Sequence, residues 1–302
     1  MTFENQILHN KRVSFLIVFL FSMFVIGLGF VFGYAFYGDA LVGLVGVGIA
    51  LLLSVLFSVG SYYGGKRLVL AVSHARKVDK QFNPQLFNVV QEMSIASGLP
   101  MPEVHVIYDS APNAFATGRH PRDSAIAVTT GLVEKLNRDE LTGVIAHEMS
   151  HVRNYDIRYM MLMGVLVGLV ALLCDFVLRS FLWGRRRNRS TRGGGPALLV
   201  LLAVAVVLAI LAPIISKLIQ LAVSRRREFL ADASAAELTR YPEGLASALL
   251  KISGDKEVLE VANRATQHMY IVNPIKSFEE RAKTLFSTHP PIAERVRRLR
   301  SM

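Results

Sequence analysis

The most prominent pattern in the chain is a pair of long, uncharged and strongly apolar runs near its beginning. They cover Val13–Gly38 and Ala40–Gly65, and a single charged residue, Asp39, separates them. About 20 apolar residues cross the hydrocarbon core of a bilayer as a helix, so each run is long enough to span it with some tilt. The first run is also too long for the apolar region of a cleaved signal peptide. The pattern therefore predicts an N-terminal transmembrane helical hairpin.

A second pair of apolar runs, Tyr159–Cys174 and Gly193–Ser216, predicts another helical hairpin. Its first member is the weaker one, because Asp175 and Arg179 fall within the length that a span requires. An arginine-rich turn over Arg185–Arg192 joins the two runs. Four full spans would place this turn outside, against the positive-inside rule. Four spans are favoured, and a second hairpin that enters the membrane without crossing it stays open as the alternative.

Basic residues near the first hairpin predict its orientation. Lys11 and Arg12 precede the first run, and Lys66 and Arg67 follow the second. The link at Asp39 carries no basic residue, so the positive-inside rule places both ends of the hairpin in the cytoplasm. The chain as a whole has a net charge of +11, which in a membrane protein we attribute to contact with anionic headgroups of the lipid bilayer. No nucleic-acid role is predicted.

Between and after the hairpins, the pattern is that of an aqueous α+β unit. A helix begins near Asn137 with Glu140 completing a capping box, and no breaker interrupts it through His151 into the third apolar run. The other predicted elements are a helix from Pro84 to Gly98, a strand over Val104–Tyr108, a hairpin of Asn113–Gly118 with Ala125–Thr129, and helices over Ser224–Leu238, Pro242–Ile252 and Pro291–Arg300.

The candidate chemistry lies on the helix that begins near Asn137. Its residues His147, Glu148 and His151 follow the pattern H-E-x-x-H. Residues four apart share one helix face, so two imidazoles can reach one Zn²⁺ while the carboxylate projects beside it. Such a metal lowers the pKa of its water toward ~7, and the carboxylate takes the proton as hydroxide attacks a carbonyl. The pattern indicates a zinc hydrolase; the alternative is two exposed histidines on a polar helix face.

A catalytic zinc ion needs a third protein ligand, and Glu228 is the best candidate. The E-x-x-x-D spacing puts Asp232 one turn further, where it can orient a ligating histidine. An antiparallel second hairpin would bring Glu228 and His151 to the same membrane surface, so membrane insertion would assemble the site. Two alternatives stay open at this point: a solvated acidic helix face, and Asp156 as a competing ligand. Asp156 is so close to His151 on the same helix that its side chain is expected to point elsewhere.

Several ordered motifs resemble those of the HtpX-type membrane metalloproteases, which are related to the Ste-type CAAX prenyl endopeptidases. The motifs are His147–Asp156, Arg227–Asp232 and Ser287–Pro290, and the resemblance covers nearly the whole chain. It implies a gluzincin-type site with one Zn²⁺ per chain, held by His147, His151 and Glu228, with Glu148 as the general base.

The resemblance also implies two further roles. His289 would lie near the site and stabilise the tetrahedral oxyanion, although its Thr-His-Pro-Pro context also suits a helix cap. Asn113, Ala114, Phe115 and Ala116 would form the edge strand of the cleft, to which the substrate backbone adds, although Asn113 also suits a turn.

Together these observations predict a mainly α membrane protein, with two hydrophobic helical hairpins and a zincin-like α+β catalytic domain at the cytoplasmic face. Residues 1–65 form the first hairpin, 66–157 the first catalytic part, 158–222 the second hairpin and 223–302 the second catalytic part. By resemblance, the chain is expected to be a multi-pass protein of the bacterial cytoplasmic (inner) membrane that degrades misfolded or damaged membrane proteins in quality control and stress response.

Two other functions are weighed against this one. An intramembrane protease would hold its H-E-x-x-H motif inside the hydrophobic region, whereas charged residues such as Arg138, Glu140 and Arg153 flank the motif here. A non-catalytic membrane scaffold or transporter subunit with a structural or vestigial metal would not need Glu148 beside the ligands. Metal analysis and a chelator-sensitive digestion assay discriminate between these classes.

Overall fold

Two long apolar helices form the N-terminal part of the protein. The computed structural model describes residues 3–37, 39–166, 168–169, 225–260, 269–272 and 290–302. Helix α1 covers Phe3–Tyr37 and helix α2 covers Ala40–Val72, and the side chain of Asp39 accepts a hydrogen bond from the first turn of α2. Within the described residues, both helices are long and apolar enough to cross a membrane. Their exposed apolar side chains are those that a lipid environment would cover.

The aqueous part is an α+β unit that follows α2 directly. Its elements are β1 (Arg76–Lys77), α3 (Pro84–Ser97), β2 (Glu103–Ile107), β3 (Ala114–His120), β4 (Asp123–Thr129), α4 (Thr130–Lys135), α5 (Arg138–Arg153), a helix over residues 156–166 that we call α6, α7 (Arg225–Thr239), α8 (Pro242–Gly254) and α9 (Ile292–Leu299).

A four-stranded sheet separates the two helical layers of this unit. Its strand order is β1-β2-β4-β3, with β2 and β4 parallel and the other pairs antiparallel. One face of β2 points Val104 and Val106 into a core shared with α3 and α5. On the opposite face, Ile107 joins residues of α2 and α6 in a second core. Strand β3 is the last strand in this order, so it lies at an edge of the sheet, and it contacts α5.

Ion pairs hold the end of α2 against this sheet. The Nζ of Lys66 lies 2.5 Å from a carboxylate oxygen of Asp123 at the start of β4, and 3.5 Å from one of Glu103 on β2. These ion pairs therefore hold the end of α2 against the sheet of the α+β unit.

The capping signals in the sequence correspond to real helix ends. Asn83 accepts a hydrogen bond from the backbone of Leu86, and Gly98 ends α3 with φ +68°. Asn137 and Glu140 form the predicted capping box at the start of α5. The predicted β3–β4 hairpin is also present. These signals are local, so the residues that carry them fix the helix ends whatever packs around them.

The prediction of one continuous helix from Asn137 into the third apolar run is wrong. Helix α5 ends at Arg153, and Tyr155 adopts the left-handed conformation with φ +61° before α6 begins. A break at Asn154 and Tyr155 redirects the chain, so Asp156 is no longer on the helix of His151. Of the predicted second hairpin, only the helical residues up to 169 are described; the Arg185–Arg192 turn and the fourth run lie outside the described residues.

Helix α8 packs closely on α5 and is tied to its first turn. A Cβ atom at Gly143 of α5 would lie 2.6 Å from the backbone nitrogen of Leu245, so the contact requires glycine. The buried carboxylate of Glu140 accepts hydrogen bonds from Ser247, at 2.7 Å, and from Lys251, at 2.8 Å. Glu140 therefore caps α5 and holds α8 at the same time.

We expect Glu140→Gln to reduce stability by about 2 kcal/mol, because the hydrogen bonds from Lys251 and the capping N–H lose their charged acceptor. The melting temperature in detergent should fall by about 5 °C. Thr142→Ala on the same helix removes only an exposed intrahelical hydrogen bond and serves as the control. Equal melting temperatures for the two variants would contradict this role.

The same carboxylate predicts a dependence on pH. Burial alone would raise the pKa of Glu140, but the hydrogen bonds from Lys251 and the backbone of Asn137 lower it below its usual 4.5. A carboxyl group with a lowered pKa contributes its full stabilisation above the unfolded value and loses it as the pH falls through the folded one. The stability difference between wild type and Glu140→Gln should therefore shrink below pH 4.5.

Candidate metal centre

Helix α5 brings two imidazoles together, with their ring planes nearly perpendicular. His147 and His151 lie one turn apart, both are buried, and their Nε2 atoms are 3.2 Å apart. Two ligands bound at 2.0–2.1 Å to one tetrahedral ion would be about 3.4 Å apart, so the observed spacing fits a shared zinc ion. Their Nε2 atoms are therefore two candidate ligand atoms of one metal site.

Helix α7 supplies the third group. The carboxylate of Glu228 is buried, with one oxygen 3.8 Å from Nε2 of His147 and the other 3.6 Å from Nε2 of His151. All three candidate ligand atoms lie within 4.8 Å of one another. Two nitrogens and a carboxylate are ligands that zinc accepts readily. The donor set and its spacing therefore fit one metal ion, held between two helices that are distant in sequence.

The other nitrogen of His147 faces a buried carboxylate. Its Nδ1 is 3.0 Å from Oδ1 of Asp232, one turn after Glu228 on α7. Arg295 of α9 donates two hydrogen bonds to this carboxylate, at 2.8 Å and 2.6 Å, and a third, at 3.1 Å, to the backbone oxygen of Ile271. Burial would raise the pKa of Asp232, but the charge of Arg295 and the hydrogen bond with His147 lower it. Asp232 is therefore an anion that fixes the orientation of the ring.

His151 has a matching partner in Asp156. Its Nδ1 is 3.0 Å from Oδ2 of Asp156, which turns back toward α5 because of the break at Tyr155. As expected, this side chain points away from the candidate metal, but it does so by contacting the Nδ1 side of the His151 ring. Burial disfavours a charged His151, but Asp156 and Glu228 outweigh it and raise the pKa of His151 to about 9. A metal at Nε2 competes with a proton, which makes its affinity depend on pH.

Glu148 lies beside the site without ligating it. The side chain is buried, and its Oε2 has no hydrogen-bond partner among the described residues. Burial raises the pKa of Glu148 to about 7, and a hydrogen bond with the backbone of Ala116 works in the opposite direction. A buried carboxylate oxygen without a partner normally requires an explanation, and a bound water or ligand is one such explanation.

The predicted edge strand of the cleft is β3: Asn113 directly precedes it, and Ala114, Phe115 and Ala116 are its first residues. Phe115 is buried in the sheet and packs edge-on against Tyr270. The amide of Asn113 donates to the backbone oxygen of Val272, and Ala114 accepts a bond from the backbone of Ile271. The first residues of β3 therefore already hold the segment 269–272, and Ala116 is the one that reaches Glu148. His289 lies outside the described residues.

Sequence reasoning missed Arg295 and the contact made by Asp156. Arg295 is completely buried, but in the sequence it stands among the charged residues of a short C-terminal helix that looks exposed. Its proximity to Asp232 depends on long-range packing, which no local signal encodes. The contact of Asp156 depends on the break at Tyr155, for which the only available signal is the Asn154-Tyr155 pair, a weak one.

Comparison with known proteins gives a consistent result. The sequence profile described as peptidase family M48 matches residues 80–302. A protein named "Protease HtpX homolog" from Dictyoglomus turgidum is 44% identical over 301 residues, covering 100% of this chain and 95% of the relative. Another of that name from Listeria monocytogenes is 42% identical over 309 residues, covering 100% of both chains.

The fold also resembles a solved structure. The structure titled "Crystal Structure of S. mikatae Ste24p" superimposes with a TM-score of 0.51 at 18% sequence identity, covering 98% of this chain and 66% of that one. At this identity the likeness concerns the fold alone. The profile match and the full-length identity to the HtpX homologues carry the assignment, and the chain belongs to peptidase family M48 as an HtpX-type membrane metalloprotease.

Proposed function

We propose that this chain is a zinc endopeptidase that hydrolyses peptide bonds of misfolded or damaged membrane proteins. The observation that carries the proposal is the convergence of two imidazoles and a carboxylate from α5 and α7 within 4.8 Å, beside the buried Glu148. His147, His151 and Glu228 would hold Zn²⁺, one ion per chain. When bound, zinc supplies Lewis-acid chemistry, activating water and polarising the scissile carbonyl.

Side chains of the protein would carry out proton transfer, orient the metal ligands and stabilise the oxyanion. One oxygen of Glu148 has no partner in the described part of the chain, and burial raises its pKa to about 7. Near neutral pH, Glu148 can therefore accept a proton from the attacking water and deliver it to the leaving amine. Asp232 and Asp156 hold the two rings in the tautomer that leaves Nε2 free for metal. His289 is proposed to stabilise the oxyanion, on the resemblance alone.

The substrate is proposed to bind as an added strand along β3. Ala116 contacts Glu148 through its backbone, so a peptide that pairs with this part of the strand passes directly beside the general base. The segment 269–272 already contacts Asn113, Ala114 and Phe115, so the added strand would pair with β3 at Ala116 and beyond. Backbone pairing is independent of side-chain identity, which suits an enzyme that degrades varied misfolded proteins.

The active site is proposed to face the cytoplasm of a bacterium from its inner membrane. Basic residues flank both ends of the first hairpin, and the ion pairs of Lys66 tie the end of α2 to the α+β unit. Alkaline phosphatase, which is active only outside the cytoplasm, should be active when fused after Asp39 and inactive when fused after Met302. The opposite pattern would reverse the proposed orientation.

Metal removal tests the proposed activity. The purified protein in detergent should digest casein, lose this activity after treatment with a zinc chelator, and regain it on addition of about one equivalent of Zn²⁺. A scaffold or transporter subunit with a structural metal would show no digestion at any stage. Digestion that continues unchanged after complete removal of zinc would contradict the proposal.

A further inference from the structure

The side chain of Asn10 in α1 is buried against the α+β unit. Asn10 is the first residue of the candidate span in α1, and its side chain is completely buried. Its Nδ2 donates to the backbone oxygen of Asn154, at 2.8 Å, and to Oδ1 of Asp156, at 2.7 Å. Both acceptors lie at the break between α5 and α6, more than 140 residues away in sequence.

The carboxylate of Asp156 therefore bridges the membrane helix and the candidate metal centre. One of its oxygens accepts from Asn10, and the other lies 3.0 Å from Nδ1 of His151. A carboxylate held at both oxygens cannot rotate freely, so it fixes the plane of the imidazole. That plane determines whether Nε2 of His151 faces His147 and Glu228.

The same end of α1 also stabilises the break itself. The carbonyl of Asn154 follows the last turn of α5, where backbone acceptors lack helical partners, and Asn10 satisfies it. The ammonium group of Lys11 lies 5.1 Å from the ring centre of Tyr155, the residue in the left-handed conformation. Two adjacent residues of α1 thus contact the turn that positions Asp156.

We propose that Asn10 is a positioning residue of the metal centre, acting on His151 through Asp156. The site then reaches its full zinc affinity only when α1 is docked against the turn between α5 and α6. The membrane anchor is therefore part of the active-site structure, although the family profile begins at residue 80. This inference rests on the proposed function, because it assumes that His151 binds zinc.

The alternative is that Asn10 only helps α1 to pack. A packing role predicts lower stability without any specific effect on zinc, and it predicts no energetic coupling between Asn10 and Asp156 in metal binding. A positioning role predicts that the two residues act through one chain of hydrogen bonds, so that removing either has nearly the effect of removing both.

The test is a double-mutant cycle on the full-length protein in detergent, with the dissociation constant of Zn²⁺ measured by competition with a chelating dye. Asn10→Leu and Asp156→Asn should each weaken zinc binding by about tenfold, the range found when a residue that orients a metal ligand is removed. The double variant should bind zinc no more than about threefold more weakly than Asp156→Asn alone, well short of an additive effect. Ser14→Ala is the matched control, because Ser14 is buried one turn further along α1 and donates only to the backbone of Asn10.

Asn10→Ser replaces Asn10→Leu if the latter does not fold, since its shorter side chain also loses contact with Asp156. Zinc affinity that equals wild type in the Asn10 variants, or additive effects in the double variant, would overturn the inference and leave the proposed function intact. If the wild-type protein bound no zinc, the proposed function would fall, and this inference with it.

Discussion

Glu148→Gln is expected to lose peptide hydrolysis while retaining zinc. The substitution keeps the size of the side chain but removes the oxygen that accepts a proton, and Glu148 is adjacent to the candidate ligands without being one of them. General bases typically contribute between 10² and 10⁴ in rate, so casein digestion should fall on the order of 10²-fold or more. The zinc content of the purified variant should match that of the wild type.

Asp139→Asn is the appropriate control for this variant. Asp139 lies on the same helix, is exposed, and loses the same charge on substitution. It should digest casein at the wild-type rate. Full activity in Glu148→Gln would eliminate the proposed mechanism, whereas loss of both activity and zinc would instead give Glu148 a structural role in the site.

Glu228→Ala is expected to lose zinc itself. The substitution leaves His147 and His151 as the remaining members of the cluster, and two imidazoles on one helix hold zinc far less tightly than three ligands in a preformed site. Removing a residue that only orients a ligand costs 10- to 100-fold in affinity, so removing a ligand should cost on the order of 10²-fold or more. Casein digestion should disappear at ordinary zinc concentrations.

The matched control is Glu237→Ala on the same helix. Glu237 is exposed and faces away from the cluster, so its loss should leave zinc affinity and digestion unchanged. Wild-type zinc affinity in Glu228→Ala would show that another group completes the site.

The rings of the two candidate ligands, His147 and His151, have similar surroundings. Nδ1 of His147 faces Asp232, which Arg295 holds, and Nδ1 of His151 faces Asp156, which Asn10 holds. Each buried carboxylate thus accepts hydrogen bonds from a second residue as well, which keeps it in place beside the candidate ligand. The donors come from the two ends of the chain, α9 and α1. The site therefore depends on the packing of α1 and α9 as well as on α5 and α7.

Local patterns in the sequence were sufficient for much of this site. The H-E-x-x-H spacing placed His147 and His151 on one helix face, and the E-x-x-x-D spacing of Glu228 and Asp232 identified the second helix. Both patterns have the period of an α-helix, which the sequence reveals directly. The capping residue Asn137 marked where the first of these helices begins.

The contacts that support the site were not predictable in the same way. Arg295 and Asn10 reach it only through packing between elements that are far apart in sequence. Arg295 shares the buried face of α9 with Val296 and Leu299, but this helical period does not reveal which residues that face contacts. The break at Tyr155 was missed because tyrosine rarely adopts a positive φ, and no glycine or proline marks the position. For the same reason, the sequence did not reveal the contact between Asp156 and His151.

The central claim is that α5 and α7 close around the same cation. The most direct measurement is a crystal or cryo-EM structure of the zinc-loaded protein, with the metal identified by anomalous scattering or X-ray absorption. We expect one zinc ion per chain, bound by Nε2 of His147, Nε2 of His151 and the carboxylate of Glu228 at about 2.0–2.2 Å. A zinc ion bound elsewhere, or bound by the two histidines with the carboxylate of Glu228 out of reach, would contradict the account.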